Sequence, residues 1–176
     1  IYANEYAGEF HFPLLCVVVS GGNTELVIMK DHMDFTIVGE TKDDAVGECY
    51  DKVARVLGLP YPGGLPIDQH AKLGTHSYHL PVPASPDGKY DFSYSGLKTS
   101  VINLVNSLKM KGTPVSVDDM ARSFQDVAIG MIVEKSLMAA KDFGVKQVIL
   151  AGGVSANSYL RAQMKEKLAG TGIELI

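Results

Sequence analysis

No apolar run in this chain is long enough to cross a bilayer. The longest, such as Leu14–Val19, have the length of a strand, where a spanning helix needs about 20 residues. No basic-then-apolar stretch of the signal-peptide kind opens the sequence. Cysteine is scarce: Cys16 and Cys49 are the only two, and their spacing fits no metal site. Both positions suit small buried hydrophobes, which points to a reduced, cytoplasmic compartment. Positive charge is also in short supply. A net charge of −4 excludes a protein that grips nucleic acid by bulk electrostatics alone. Lys98 and the Lys109-Met110-Lys111 segment are the local basic candidates, and lysines of this kind commonly just solvate a surface. There is no internal repeat, heptad, low-complexity tract or H-E-x-x-H motif.

What remains is an ordinary globular composition, 46% apolar and 20% charged in 176 residues, sufficient for one domain with a substantial core. Residues 14–20 and 24–30 are β-rich runs around a Gly-containing turn and read as a hairpin, with 35–40 as a third strand. The segment "KDDAVGECYDKVARVLGL" carries Ala45, Val46, Cys49, Val53, Val56 and Leu57 on one helical stripe, with Asp43 or Asp44 as N-cap and Gly58 as stop. Residues 60–86 are rich in Gly, Pro and His with weak periodicity, and 95–108 suit a short helix. Ser116 opens the clearest helix, with Asp119 placed as in a capping box, and Gly144 ends it. "QVILAGG" is a buried strand, followed by a helix over 156–169. The order predicts an α/β lobe, a mixed sheet flanked by helices with a helical insertion near 60–115, and not two independent domains. The chain opens at Ile1 without a methionine and stops at "GIELI", a strand just starting, so a piece of a longer protein is expected.

Two core strands end in a glycine pair: "VVVSGGNTE" and "VILAGGVSAN". In the first, Gly21 and Gly22 suit an anion-cradling turn, with Ser20 and Thr24 adding hydroxyls. In the second, Gly152 and Gly153 lead into a helix N-terminus near Ser155 to Asn157, where free N–H groups favour an anion. Gly153 would let a planar ring lie on the backbone while Asn157 reads its edge. Either pair alone is equally what a turn needs for conformational reasons. Asp44, Glu48 and Asp51 fall on one side of a helix, suited to a metal, to sugar hydroxyls or to a base, unless Arg55 simply neutralises Asp51. "PYPGGLPID" sets Gly63-Gly64 ahead of Asp68, either a closing loop or a bland one. His70, His76 and His79 sit in a loop-like setting that makes a poor zinc signature, and Ser95 has no convincing triad partners.

Taken together, "SGGNTEL", "GETKDDAVGECYDKVARVLGLPYPGG", "DFSYSGLKT" and "ILAGGVSANSYLR" closely resemble the TsaD family, the tRNA threonylcarbamoyltransferases formerly called glycoprotease or O-sialoglycoprotein endopeptidase. The resemblance implies the actin, sugar-kinase and heat-shock-ATPase fold (ribonuclease H-like), with two lobes around a nucleotide. This chain would be most of the second lobe, the first being absent. It further implies that Val18, Val19, Ser20, Gly21 and Gly22 follow the phosphates or the acyl group. Asp51, Gly64, Asp68 and Asn157 would bind the activated substrate, threonylcarbamoyl-AMP or ATP. Thr24, Glu48, Gly152 and Gly153 would support the nucleotide loops.

The implied reaction moves threonylcarbamoyl from its adenylate to the tRNA adenosine beside the anticodon. A divalent metal, iron or zinc, is implied as a clamp near the phosphates, its ligands lying outside this chain: two histidines upstream and an aspartate downstream. The partners implied are tRNA and, in bacteria, a TsaB-like paralogue and a TsaE-like ATPase. The fragment itself is expected to be inactive and prone to self-association. Three alternatives stay open: a sugar-kinase-like phosphotransferase, the metalloendopeptidase of the older name, and a non-catalytic binding module.

Overall fold

The structure is a computed structural model that describes residues 1–84 and 88–176. Its strands are β1 (Leu14–Val19), β2 (Thr24–Asp31), β3 (Asp34–Glu40), β4 (Gln147–Ala151) and β5 (Glu174–Leu175). Its helices are α1 (Val46–Val56), α2 (Gly64–Leu73), α3 (Ser95–Met110), α4 (Val117–Asp142) and α5 (Ser158–Leu168). The sheet order is β3-β2-β1-β4-β5. The first three strands form an antiparallel meander, and β4 and β5 join in parallel.

Successive side chains of a strand point to opposite faces, and here that alternation sorts the core in two. Leu15, Val17 and Val19 of β1, with Leu26, Ile28, Val148 and Leu150, meet all five helices on one face. Leu14, Cys16, Val27, Met29 and Ile149 point the other way and are covered by Phe10 together with Tyr2 and Phe12 from the N-terminal segment. The 26-residue α4 is the spine of the helical layer. Its Met120, Phe124, Ala128 and Ile132 are fully buried at helical spacing.

The N-cap expected at Ser116 is present: its side chain accepts from the Asp119 N–H at 3.2 Å. The reciprocal half of a capping box is not made, because the Asp119 carboxylate reaches Thr75 and Ser77 instead. Two local readings are corrected. Asp43 and Asp44 do not cap α1, whose N-cap is Ala45. Asp43 turns to another helix, accepting from the N–H groups of Tyr94 and Ser95 at 2.7 and 3.2 Å at the start of α3. Second, the weakly periodic stretch contains α2, held against α4 by buried Ile67 and Ala71. Residues 85–87, part of that stretch, lie outside the described residues.

The topology has one consequence for function. Because β1 and β4 pair directly, Val18 opposite Ala151, the two glycine pairs that follow these strands emerge side by side.

Candidate functional site

A cleft of about 670 Å³ opens at those strand ends, within the 300–1,000 Å³ range of small-molecule sites. Gly21 forms part of its wall from the β1–β2 turn, and Tyr50 and Asp51 from α1. Gly64, Leu65 and Asp68 of α2 and the stretch from Gly153 to Asn157 complete it, with Tyr61 at the mouth. Six of the residues expected from sequence are therefore gathered in one place: Gly21, Asp51, Gly64, Asp68, Gly153 and Asn157.

The glycines divide by what a Cβ would meet. At Gly152, with φ +91°, it would lie 2.3 Å from the Val19 carbonyl oxygen, so the β1–β4 junction itself demands glycine. At Gly63 it would lie 2.5 Å from the Ala54 Cβ, where α2 starts against α1. At Gly21, Gly22, Gly64 and Gly153 it would meet nothing within 4 Å, and none of these has a positive φ. Neither packing nor backbone conformation in this chain calls for glycine there. At Gly21, Gly64 and Gly153, which line the cleft, backbone without a Cβ would admit close contact with a bound group.

The remaining loop residues are set mainly by the fold. Val18 and Val19 are strand residues, with Val19 in the main core. Ser20 closes the turn on itself: its Oγ accepts from the N–H groups of Gly22 at 3.2 Å and Asn23 at 2.9 Å. The Ser20 carbonyl accepts from Gly47 N–H at 3.0 Å, the first turn of α1. Thr24 is fully buried and its Oγ1 accepts from Val46 N–H at 2.9 Å, so it serves the N-terminus of α1 and does not face the cleft. Of the two glycine amides expected to cradle an anion, that of Gly22 is thus already engaged by Ser20. Gly21 N–H has no acceptor among the described residues.

The acidic face of α1 splits in the same way. Glu48 is held by Lys52 at 2.5 Å and Asp44 by Lys98 at 2.5 Å, both away from the cleft lining. Asp51 is not paired with Arg55. Its Oδ1 accepts from Gly63 N–H at 2.7 Å, which fixes the carboxylate on the cleft wall, and its Oδ2 has no protein donor among the described residues.

Asp68 and Asn157 belong to a buried polar network, 5% and 9% exposed. Asp68 Oδ1 accepts from Ser158 Oγ at 3.0 Å and Gln125 Nε2 at 3.1 Å, and Oδ2 from Ser158 N–H at 3.1 Å. Lys72 lies 3.8 Å from Oδ2. Asn157 is the N-cap of α5, its Oδ1 accepting from Leu160 N–H at 2.8 Å. Tyr50 OH donates to Gln125 Oε1 at 2.9 Å, and burial pushes its pKa well above 10, so it stays a donor.

Sequence reasoning named neither Tyr50 nor Gln125, nor the 82%-exposed Tyr61 ring. Tyr50 was visible only as the neighbour of Asp51, and Gln125 as a polar residue beside Phe124 on the apolar stripe of α4. Two of the three histidines expected in a loop face one carboxylate each, His70 with Asp118 at 2.5 Å and His76 with Asp126 at 3.0 Å. Among the described residues no group of three or more His, Cys, Asp or Glu is placed to hold a metal ion. The implied iron or zinc therefore finds no ligand set in these residues. Among the same residues no helix is long and apolar enough to cross a membrane.

Comparison with known proteins places this geometry. The fold is shared with HypF in a phosphate- and nucleotide-bound form, with TM-score 0.62 at 14% identity over 92% of this chain and 36% of that one. It is shared also with the activator of the 2-hydroxyisocaproyl-CoA dehydratase from Clostridium difficile with bound ADPNP, with TM-score 0.54 at 14% identity over 95% of this chain and 54% of that one. Both have the ATPase fold of the actin, sugar-kinase and heat-shock group that the family resemblance implies. A protein of Listeria welshimeri named tRNA N6-adenosine threonylcarbamoyltransferase is 53% identical over all of this chain and 52% of its own length. One of the same name from Geobacillus thermodenitrificans is 50% identical, again over all of this chain and 52% of its own length. The chain thus spans about half the length of these relatives. The family model described as TsaD, tRNA N6-adenosine threonylcarbamoyltransferase, matches residues 1–176, and the chain belongs to that family.

Proposed function

We propose that this chain is the substrate-holding lobe of a tRNA threonylcarbamoyltransferase, and that its cleft binds threonylcarbamoyl-AMP. The observation that carries the reading is the set of cleft glycines, Gly21, Gly64 and Gly153, which the protein leaves open and unstrained. Gly153 and Asn157 flank the adenine, Gly21 and Gly22 follow the phosphate and acyl group, and the free Oδ2 of Asp51 takes ribose or threonyl hydroxyls. Asp68 acts on the ligand mainly by fixing the start of α5, since protein donors already surround it. A nucleotide here accords with the nucleotide-bound states named for the two fold neighbours.

The chemistry is acyl transfer. The exocyclic amine of the tRNA adenosine attacks the carbamoyl carbon, the new C–N bond forms, the bond to the phosphate oxygen breaks, AMP leaves, and the amine's proton passes to solvent. The chain's part is to hold the leaving group and present the carbonyl, which makes positioning its main contribution. The exposed Tyr61 ring at the mouth is available for stacking on a base. No general base is assigned and no step runs through a metal. The tRNA, a TsaB-like paralogue and a TsaE-like ATPase are partners of the whole protein, which works in the cytoplasm. The 176 residues alone bind nucleotide weakly, do not turn over, and self-associate.

Following threonine label and phosphate label together in the full-length protein tests the reaction class. The account expects threonine label to enter tRNA with release of AMP. Transfer of a terminal ATP phosphate to a small alcohol without tRNA would establish the sugar-kinase-like alternative instead. Asp51→Asn keeps an acceptor for Gly63 N–H but weakens the ligand contact. Its expected effect is about a tenfold loss of affinity, ~1.4 kcal/mol, with the melting temperature nearly unchanged.

A further inference from the structure

Gln125, in the middle of α4, is 2% exposed, and it is the hub to which Asp68, Asn157 and Tyr50 all connect. A carboxylate accepts only, and an amide has one accepting and one donating end. With Asp68 on one side, the Gln125 amide has a single satisfactory orientation. Its Nε2 donates to Asp68 Oδ1 at 3.1 Å, and its Oε1 is left for the other side. There it accepts two donors at once, Tyr50 OH and Asn157 Nδ2, each at 2.9 Å. Asn157 is held from both ends of its amide, its Nδ2 by Gln125 Oε1 and its Oδ1 by Leu160 N–H. The second N–H of its amide is what Asn157 can offer a ligand.

We infer that Gln125 is a positioning residue that sets the hydrogen-bond polarity of the cleft wall, so that Asn157 meets the ligand as a donor and reads an acceptor edge. The inference rests on the cleft being the adenylate site proposed above. Reversing the Gln125 amide would set Oε1 against the Asp68 carboxylate and Nε2 against Asn157 Nδ2, a repulsion on each side, with Tyr50 OH alone able to turn and accept. The polarity therefore runs from one buried carboxylate, through one amide, to the group that faces the ligand. A buried network of this kind specifies one arrangement only when every member is satisfied.

Replacing the amide by a carboxyl tests the donor that Gln125 turns to Asp68, apart from the shape. Gln125→Glu keeps the size and still accepts from Tyr50 and Asn157, but ionised it sets a second carboxylate against Asp68. Two carboxylates at that distance share a proton, so the introduced group reverts to a donor toward Asp68 as pH falls. The groups facing it are Tyr50 from α1, Asp68 and Lys72 from α2, Tyr159 from α5, and Arg122 one turn away on α4, which is held by Asp126 at 2.8 Å.

The measurement is calorimetric affinity of the full-length protein for a non-hydrolysable threonylcarbamoyl-adenylate analogue. It is taken as the ratio of variant to wild type between about pH 8.5 and 5.5, with melting temperatures at each pH. The expected result is a roughly tenfold loss for Gln125→Glu at the alkaline end that recovers to within about threefold at the acid end. Gln125→Leu should show a loss of about tenfold at every pH, since no proton restores its donor. A ratio that is flat with pH for Gln125→Glu, or ligand affinity unchanged while only melting temperature falls, overturns the inference and leaves the proposed function standing. Absence of binding by the wild type removes the proposed function, and the inference falls with it.

Discussion

The second and third of the chain's three Gly-Gly pairs, at 63–64 and 152–153, share a division of labour that the first, at 21–22, does not. In each of the two, the first glycine is required by the protein and the second is open to the cleft. Gly63 has the Ala54 Cβ 2.5 Å from where its own would stand, and Gly152 has the Val19 carbonyl oxygen at 2.3 Å, while Gly64 and Gly153 have nothing within 4 Å. At the first pair both positions are open, because Ser20 closes that turn with its side chain. Identical dipeptides thus answer to different constraints: one keeps two elements in contact, and the other leaves room for something outside the protein. The contrast separates residues whose loss unfolds the lobe from residues whose loss empties the site.

The sharpest way to break the comparison is at Gly152. Gly152→Ala adds a Cβ against a backbone carbonyl at φ +91°, a strained conformation combined with overpacking. The expected cost is ~3 kcal/mol or more, read as a fall in denaturant midpoint. A stable Gly152→Ala protein would show that the β1–β4 junction is looser than described.

A smaller effect is expected at Asp43, where capping comes from far along the chain. Partial burial tends to raise its pKa, but hydrogen bonds from Ser93, Tyr94 and Ser95 outweigh this and hold it below 3.8. A lowered folded-state pKa contributes stability that is fully present above the unfolded value and lost as pH falls through the folded one. Asp43→Ala should therefore cost ~1 kcal/mol near neutrality, with the gap to wild type narrowing in thermal melts only as the pH drops below the ordinary carboxylate value of 3.8. A gap that persists at lower pH would mean that the side chain acts by shape alone.

The smallest change is the control at Gly130 in α4. This glycine is also open and unstrained but lies outside the cleft. Gly130→Ala should stabilise by ~0.5–1 kcal/mol through helix propensity and leave ligand affinity untouched. Reduced affinity there would mean that open glycines carry no information about the site.

How much of this was legible in the sequence depended on the range of the interaction. The β1–β2 hairpin and the Ser116 cap depend on residues a few positions apart, and local pattern found both. The helix α2 was obscured because Gly64 and Pro66 occupy its first turn, where neither does harm, leaving Ile67 and Ala71 as its buried contacts. The parallel pairing of β1 with β4 and the capping of α3 by Asp43 join residues far apart in the chain, and no local periodicity reports them. At the site, the quoted motifs supplied Asp51, Asp68 and Asn157, but their division of roles did not show. Asp68 turned out to be enclosed by protein donors, and Thr24 and Glu48 to serve α1. Gln125 sits on an apolar stripe and becomes meaningful only once α2 and α5 are packed around it.

The most direct test of the central claim is Gly153→Val in the full-length protein, with affinity for the adenylate analogue and melting temperature measured on the same sample. The added Cβ would stand in space that has no protein atom within 4 Å. The account predicts a melting temperature close to wild type and an affinity lowered at least about tenfold, ~1.4 kcal/mol. Full affinity with the valine in place would contradict it, and the cleft beside β4 would then not be where the adenylate lies.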